Sequence, residues 1–167
     1  MTPEVAAPTV VLRPEAPADR AFLRELYGST RELEMGVMPW SEEQKRAFLD
    51  MQFRAQDVYY HENYYDTDFL VIEVDGERAG RLYVQRAEDA IYLVDIALLP
   101  AFRGRGIGGR MMDGILGEAR AAGKKVSIYV EYFNPARRLY DRLGFRPLDT
   151  NGVYLRMVWA PEGVAVT

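Results

Sequence analysis

The sequence predicts an α/β domain built on a single mixed β-sheet with helices on both faces. Three observations predict it. Two apolar runs, Phe69 to Val74 and Arg81 to Val84, flank an Asp75-Gly76 pair, which reads as a β-hairpin and demands antiparallel pairing. Between Ala90 and Tyr132 a strand pattern, a helical pattern and a second strand pattern follow one another, which suits a parallel crossover. Strand-like and helix-like segments alternate over the 167 residues without a repeat, a low-complexity block or a linker. The expected unit is one domain over 1–167, with 1–8 and 161–167 as flexible tails.

Val10 to Arg13 is a short strand ahead of Pro14. Pro17 to Tyr27 reads as a helix with Phe22, Leu23, Leu26 and Tyr27 on its apolar face and Gly28 as its stop. Thr30 to Trp40 is expected to be an irregular loop. Ser41-Glu-Glu-Gln44 is a capping-box pattern that opens a second helix, with Phe48, Met51, Ala55 and Val58 as the expected buried stripe. After the hairpin and the strand from Ala90 to Leu98, Ile107, Met111, Met112, Ile115, Leu116 and Ala119 recur at helical spacing. They give an amphipathic helix from Gly106 to Ala122, stopped by Gly123. Val126 to Tyr132 is a strand, Pro135 to Leu143 a short helix ended by Gly144-Phe145, and Val153 to Trp159 a last strand.

Composition narrows the chemistry. There is no cysteine, which removes disulfides, thiolate metal sites and a thiol nucleophile. A single histidine, His61, excludes paired-histidine zinc motifs, and no metal is expected. The net charge of −4 argues against a nucleic-acid partner, although local arginine clusters remain able to bind a small anion. Residues 1–9 lack the basic and apolar regions of a signal peptide, and no apolar run is long enough to span a bilayer. No membrane partner is expected, and the expected location is the cytoplasm.

The richest segment is Arg103-Gly-Arg-Gly-Ile-Gly108, between a strand and a helix. A glycine-rich turn at a helix start exposes backbone N–H groups, the helix dipole adds positive charge, and Arg103, Arg105 and Arg110 add more. A phosphate or pyrophosphate suits such a place. Two readings compete. Gly104-Arg-Gly-Ile-Gly-Gly109 matches the G-x-G-x-x-G dinucleotide pattern, with Glu131 about twenty residues on. Against it, Pro100-Ala-Phe-Arg103 separates strand from glycines, and a single strand–helix–strand unit is visible. Arg103, Gly106 and Gly108 also fit R-x-x-G-x-G.

On that second reading, Leu98-Leu-Pro-Ala-Phe-Arg-Gly-Arg-Gly-Ile-Gly108 resembles the acyl-CoA-binding motif of the GNAT superfamily of N-acyltransferases. Asn134-Pro-Ala-Arg-Arg-Leu-Tyr-Asp-Arg-Leu-Gly-Phe145 is similar to that superfamily's later motif. The resemblance implies a V-splayed sheet. It implies a pyrophosphate held by backbone amides over Arg103, Gly104, Arg105, Gly106, Ile107 and Gly108. It also implies a pantetheine arm beside the strand through Ile96 and Leu98, with Asn134 as a further cofactor contact. Asn134 stands one position closer to Tyr140 than is common in the superfamily. The cosubstrate implied is acetyl-CoA, and the acceptor amine enters from the other side.

The activity implied is acetyl transfer to a primary amine, small-molecule or peptide, by direct attack in a ternary complex. Tyr140 is the candidate acid for the leaving thiolate; its plain alternative is a core aromatic on the Ala136/Leu139/Leu143 stripe. Asp95, a carboxylate in an apolar strand, is the candidate proton relay; its alternative is a paired structural charge. Glu73 and Glu131 are further acids on neighbouring strands. Arg137 and Arg138 stand where they reach an outer phosphate or are simply solvated. Tyr59, Tyr60, His61, Tyr64 and Tyr65, with Met35, Met38 and Trp40, either line the acceptor site or pack. The alternatives are a non-catalytic acyl-CoA-binding module and a nucleotide-binding oxidoreductase. A homodimer is compatible with the resemblance.

Overall fold

The computed structural model describes residues 7–132 and 134–166. In chain order the elements are β1 (Val10–Pro14), α1 (Arg20–Thr30), α2 (Glu32–Gly36), α3 (Glu42–Asn63), β2 (Thr67–Val74) and β3 (Glu77–Arg86). There follow β4 (Ala90–Leu98), α4 (Ile107–Ala122), β5 (Lys125–Glu131), α5 (Arg137–Leu143), β6 (Arg146–Asn151) and β7 (Tyr154–Trp159). The strands form one open sheet of seven in the order β1-β2-β3-β4-β5-β7-β6. It is mixed: β4 and β5 are parallel, whereas β1–β2, β5–β7 and β6–β7 are antiparallel.

Contacts gather the chain into two compact units. The first holds Met1–Tyr65, Phe69–Leu82 and Ala97–Arg103 (described from residue 7); the second holds Asp66–Asp68, Tyr83–Ile96 and Gly104–Thr167. In the first unit, Phe22, Leu23, Leu26 and Tyr27 of α1 bury against Phe53 of α3 and Val71 of β2. An ion cluster around the buried Asp19 carboxylate fixes the entry to α1. Arg13 donates from Nη1 and Nη2 to the Asp19 carboxylate at 2.8 Å each, Arg78 Nε lies 3.0 Å from it, and the Ala16 amide donates to it at 2.8 Å. The hairpin turn places Asp75 at φ 50° and Gly76 at φ 82°, as a type I′ turn requires. At Gly80 the strands come so close that a Cβ would stand 2.1 Å from the Ala97 carbonyl oxygen.

In the second unit, Val126, Ile128 and Val130 of β5 share a buried face with Leu155, Met157 and Trp159 of β7. α4 covers it, with Arg120 over the Trp159 ring at 5.1 Å. α5 closes with Gly144 at φ 97° and the Phe145 amide donating to the Tyr140 carbonyl at 3.0 Å, a Schellman stop that lays Phe145 on Tyr140. The parallel ladder of β4 with β5 runs from Ala90↔Lys125 to Leu93↔Ile128. Both strands continue past it, so Val94–Ile96 and Tyr129–Glu131 part company and the sheet splays there.

Three sequence expectations are corrected. The stretch 30–40 is not all irregular: Glu32–Gly36 is helical, and α1 runs through Gly28 to Thr30. The predicted stripe of α3 faces largely outward, with Met51, Ala55 and Val58 exposed and Phe48 alone half-buried. Met51 and Val58 are 59% and 52% exposed, and the buried side runs through Leu49, Phe53, Gln56 and Tyr60. Two of those four are polar or amphipathic, so the apolar count misled. Gln56 accepts a 2.9 Å bond from Arg81, which explains why it faces inward. Finally, β6 went unseen because Arg146-Pro-Leu-Asp-Thr-Asn151 is an edge strand. It has little apolar content and is largely exposed, the ordinary protection of an open edge.

Candidate functional site

The glycine turn folds as its composition demands. After β4, Pro100–Phe102 makes a short 3-10 turn, and then Gly104 and Gly106 take φ 71° and 79°. Gly106 is the N-cap of α4 and offers no side-chain cap. The helix ladder begins with the Arg110 amide donating to the Gly106 carbonyl at 3.1 Å. The amides of Ile107, Gly108 and Gly109 therefore precede the ladder, with no intrahelical acceptor within reach. Nothing approaches within 4 Å of where a Cβ would stand on Gly104, Gly106 or Gly109, and a Cβ on Gly108 would meet Leu139 at an ordinary 3.8 Å. The glycine loop thus has room at its Cα positions and carries the positive end of a 16-residue helix. Its donor set fits a pyrophosphate.

The arginines divide. Arg103 turns back: its Nε donates to the Leu98 carbonyl at 2.9 Å and its Nη2 reaches Ser29 Oγ at 3.5 Å, so it braces the end of β4. Arg105 is exposed. Arg137 donates to the Tyr132 carbonyl at 2.8 Å and stacks over that ring. Asn134 accepts from the Ala136 amide at 2.9 Å, a local side-chain bond in the turn ahead of α5.

Tyr140 is 4% exposed. Burial pushes its phenol well up from the ordinary value, and the negative charge of Asp95 pushes the same way. The two candidate proton-transfer residues are therefore brought within electrostatic reach of each other inside the second unit. Asp95 is half-buried on the part of β4 beyond the ladder, where the strands splay, and Ile96 follows it. Glu131 ends β5 opposite Tyr154 of β7. Glu73 is occupied, accepting a 2.8 Å bond from Arg13 Nε.

In the first unit a cavity of about 380 Å³ lies among α1, α2 and α3, lined by Gly28, Glu32, Met35, Gly36, Glu42, Lys45, Arg46 and Leu49. From the expected acceptor set, Met35 lines it. The tyrosine patch stands elsewhere: Tyr60 lies fifteen residues beyond Lys45 on α3, about 22 Å along the helix at 1.5 Å per residue. Tyr59, Tyr60 and Tyr64 pack on one another at 5.8–6.1 Å. Trp40 packs edge-on against Phe48 at 5.0 Å. No sequence signal singled out the cavity, because Glu32 and Glu42 look like ordinary surface acids.

His61 stacks on Phe69 with ring centroids 4.2 Å apart. Its Nδ1 is 2.7 Å from the Asp57 carbonyl and its Nε2 2.9 Å from Glu15 Oε1. Both partners are acceptors, an arrangement that favours the doubly protonated ring. Partial burial lowers its pKa, but the Asp57 and Glu15 contacts outweigh that and raise it. Glu15, Asp57 and His61 bring ligand-type atoms within 4.8 Å of one another. The two carboxylates, however, address opposite ring nitrogens, an arrangement for a charge clamp rather than for one shared ion.

Comparison with known proteins finds a family for this chain. A model of the acetyltransferase (GNAT) family matches residues 23–145. A putative ribosomal protein bS18-alanine N-acetyltransferase of Bacillus subtilis is 31% identical over 98 residues, 56% of this chain. The chain covers 64% of that relative's length. Among solved structures, the PaiA N-acetyltransferase of Thermoplasma acidophilum, in complex with coenzyme A, superposes with a TM-score of 0.68 at 20% identity, over 92% of this chain and 99% of that one. An acetyltransferase of Thermus thermophilus gives 0.67 at 18%, over 94% and 100%. With the family model spanning the glycine turn and the Tyr140 helix together, the chain belongs to the GNAT family of acetyltransferases.

Proposed function

We propose that this protein transfers an acetyl group from acetyl-CoA to a primary amine. The observation that carries the proposal is the start of α4, without a side-chain cap, where left-handed glycines precede amides that have no intrahelical acceptor. Backbone amides over Gly104, Arg105, Gly106, Ile107 and Gly108 would hold the pyrophosphate. Ile96 and Leu98 would border the pantetheine arm, and Arg103 would keep that strand end in place through the Leu98 carbonyl. Asn134 would offer its amide NH2 to the cofactor while its oxygen accepts from the Ala136 amide. That PaiA was solved with coenzyme A supports the choice of cosubstrate.

The chemistry follows from the residues present. With no cysteine there is no thiol to carry the acetyl group, so the amine attacks the thioester directly. Its nitrogen bonds to the carbonyl carbon, the carbon–sulfur bond breaks, and the nitrogen loses a proton by way of Asp95. Tyr140 gives its proton to the departing thiolate and recovers one from solvent. A phenol held protonated by burial suits that donor role. The acceptor we favour is a polypeptide N-terminus, because the relative from Bacillus subtilis is described as acting on a ribosomal-protein alanine.

The test is thermal unfolding with acetyl-CoA, CoA, NAD or buffer, followed by turnover of acetyl-CoA with an alanyl peptide. Stabilisation by acetyl-CoA and CoA together with peptide acetylation is expected. Stabilisation by NAD alone would reinstate the dinucleotide reading of Gly104 to Gly109. Binding without turnover of any amine would leave an acyl-CoA-binding module.

A further inference from the structure

We infer that Arg137 is a positioning residue for Tyr140: it ties the first turn of α5 to the end of β5 and so sets where the phenol stands. For its effect on catalysis the inference rests on the acyltransferase reading above. Tyr140 sits on a helix of seven residues. A helix that short has little stability of its own and takes its place from what holds its two ends. The C-terminal end is held by packing: the Phe145 amide bonds the Tyr140 carbonyl, Phe145 lies on the Tyr140 ring, and Gly144 lies against the Trp159 ring of β7. The N-terminal end has no side-chain cap. There the backbone turns through Asn134, whose amide donates to the Glu131 carbonyl at 3.0 Å, and Arg137 supplies the side-chain tie.

Arg137 is the first residue of α5. Its Nη1 donates to the Tyr132 carbonyl at 2.8 Å, and its guanidinium lies over the Tyr132 ring, 5.8 Å from the centroid. Tyr132 is itself fixed: its amide donates to the Val153 carbonyl at 3.2 Å, which carries the β5–β7 ladder on beyond Glu131↔Tyr154. A planar guanidinium that bonds the carbonyl and stacks on the ring of one residue fixes both distance and tilt. Among the described residues, no other side chain of α5 makes a hydrogen bond or an ion pair. Arg137 and Tyr140 are three positions apart and so stand on one side of the helix. The Tyr140 amide closes the same turn onto the Ala136 carbonyl at 3.2 Å, so a tilt of that turn moves the phenol. Stability alone does not account for the guanidinium. Its Nε is buried with no hydrogen-bond partner, and a buried donor without an acceptor is destabilising.

The experiment labels tyrosine with carbon-13 at Cζ and follows the Tyr140 resonance, identified by its loss in Tyr140→Phe. Two variants of the full chain are compared: Arg137→Met, which keeps the stem and loses the bond, and Arg137→Lys, which keeps the charge. A displaced Tyr140 resonance in Arg137→Met, partly restored in Arg137→Lys, is expected, with the melting temperature and the melting shift on adding CoA close to wild type. With acetyl-CoA and an alanyl peptide, Arg137→Met should lower kcat about tenfold, within what a small misplacement of a reacting group costs, and leave both KM values close to wild type. On a Tyr140→Phe background the same change should cost nothing further, as expected of a residue that acts through another. An unmoved resonance, an equal loss of kcat on both backgrounds, or a raised KM for acetyl-CoA with kcat kept would each overturn the inference, the last by making Arg137 a cofactor contact. A displaced resonance with kcat unchanged in both Arg137→Met and Tyr140→Phe would leave Arg137 as the residue that places Tyr140 and count against Tyr140 as the acid.

Discussion

At Tyr140 the sequence offers an aromatic on a helix stripe, and its surroundings decide what that aromatic can do. Burial and the Asp95 charge hold the phenol protonated, so Tyr140→Phe should lower kcat about a hundredfold or more, in the range of lost general-acid catalysis. The KM for acetyl-CoA and the melting temperature should stay close to wild type, which steady-state kinetics and a melt will read. Asp19 and His61 set a second prediction. The arginine bonds, above all from Arg13, hold the buried Asp19 carboxyl down at about 2, against 3.8 unperturbed. Its folded pKa is lowered, so its contribution is complete above pH 3.8 and is lost as pH falls through about 2. That shift corresponds to roughly 2 kcal/mol. His61 runs the other way: its folded pKa is raised, so its contribution is complete below 6.5 and fades as pH rises through the folded value. Melting temperature against pH should therefore fall at both ends. His61→Gln should remove the fall on the alkaline side and Asp19→Asn that on the acid side. Retention of both limbs in these variants would contradict the assignments.

Among the elements, α3 shows how helical periodicity can mislead. The helix carries two apolar rows, and the more conspicuous one lies outside. Phe53 is 2% exposed among Phe22, Leu26 and Val71, whereas Met51 is 59% exposed. Phe53→Ala should cost about 3–5 kcal/mol, as emptying an aromatic site does. Met51→Ala should change stability by less than about 0.5 kcal/mol, as exposed substitutions do. Chemical denaturation of the two variants decides between the rows. The loop before α4 was easier to read, because glycine at a left-handed N-cap has few replacements.

For the whole molecule, cosubstrate binding is read as stabilisation of the folded state. At a hundred times its dissociation constant, acetyl-CoA should contribute about 2.7 kcal/mol. For a chain of this size that is a melting shift of roughly 5–10 °C. Most strands and helices, the glycine turn, the helix stop at Gly144-Phe145 and the family were legible in the chain alone, whereas α2 and the edge strand β6 were not. The legible features depend on local spacing or on residues that few conformations accept. What depends on neighbours distant in the chain was settled by packing. Packing chose the buried face of α3 through Arg81 and Gln56, and it brought Asp95 to Tyr140. It separated the α1–α3 cavity from the tyrosine patch, and it tied the first turn of α5 to the end of β5 through Arg137 and Tyr132. A single chain pattern carries periodicity along an element; which side of that element meets another is set by packing and charge pairing between elements.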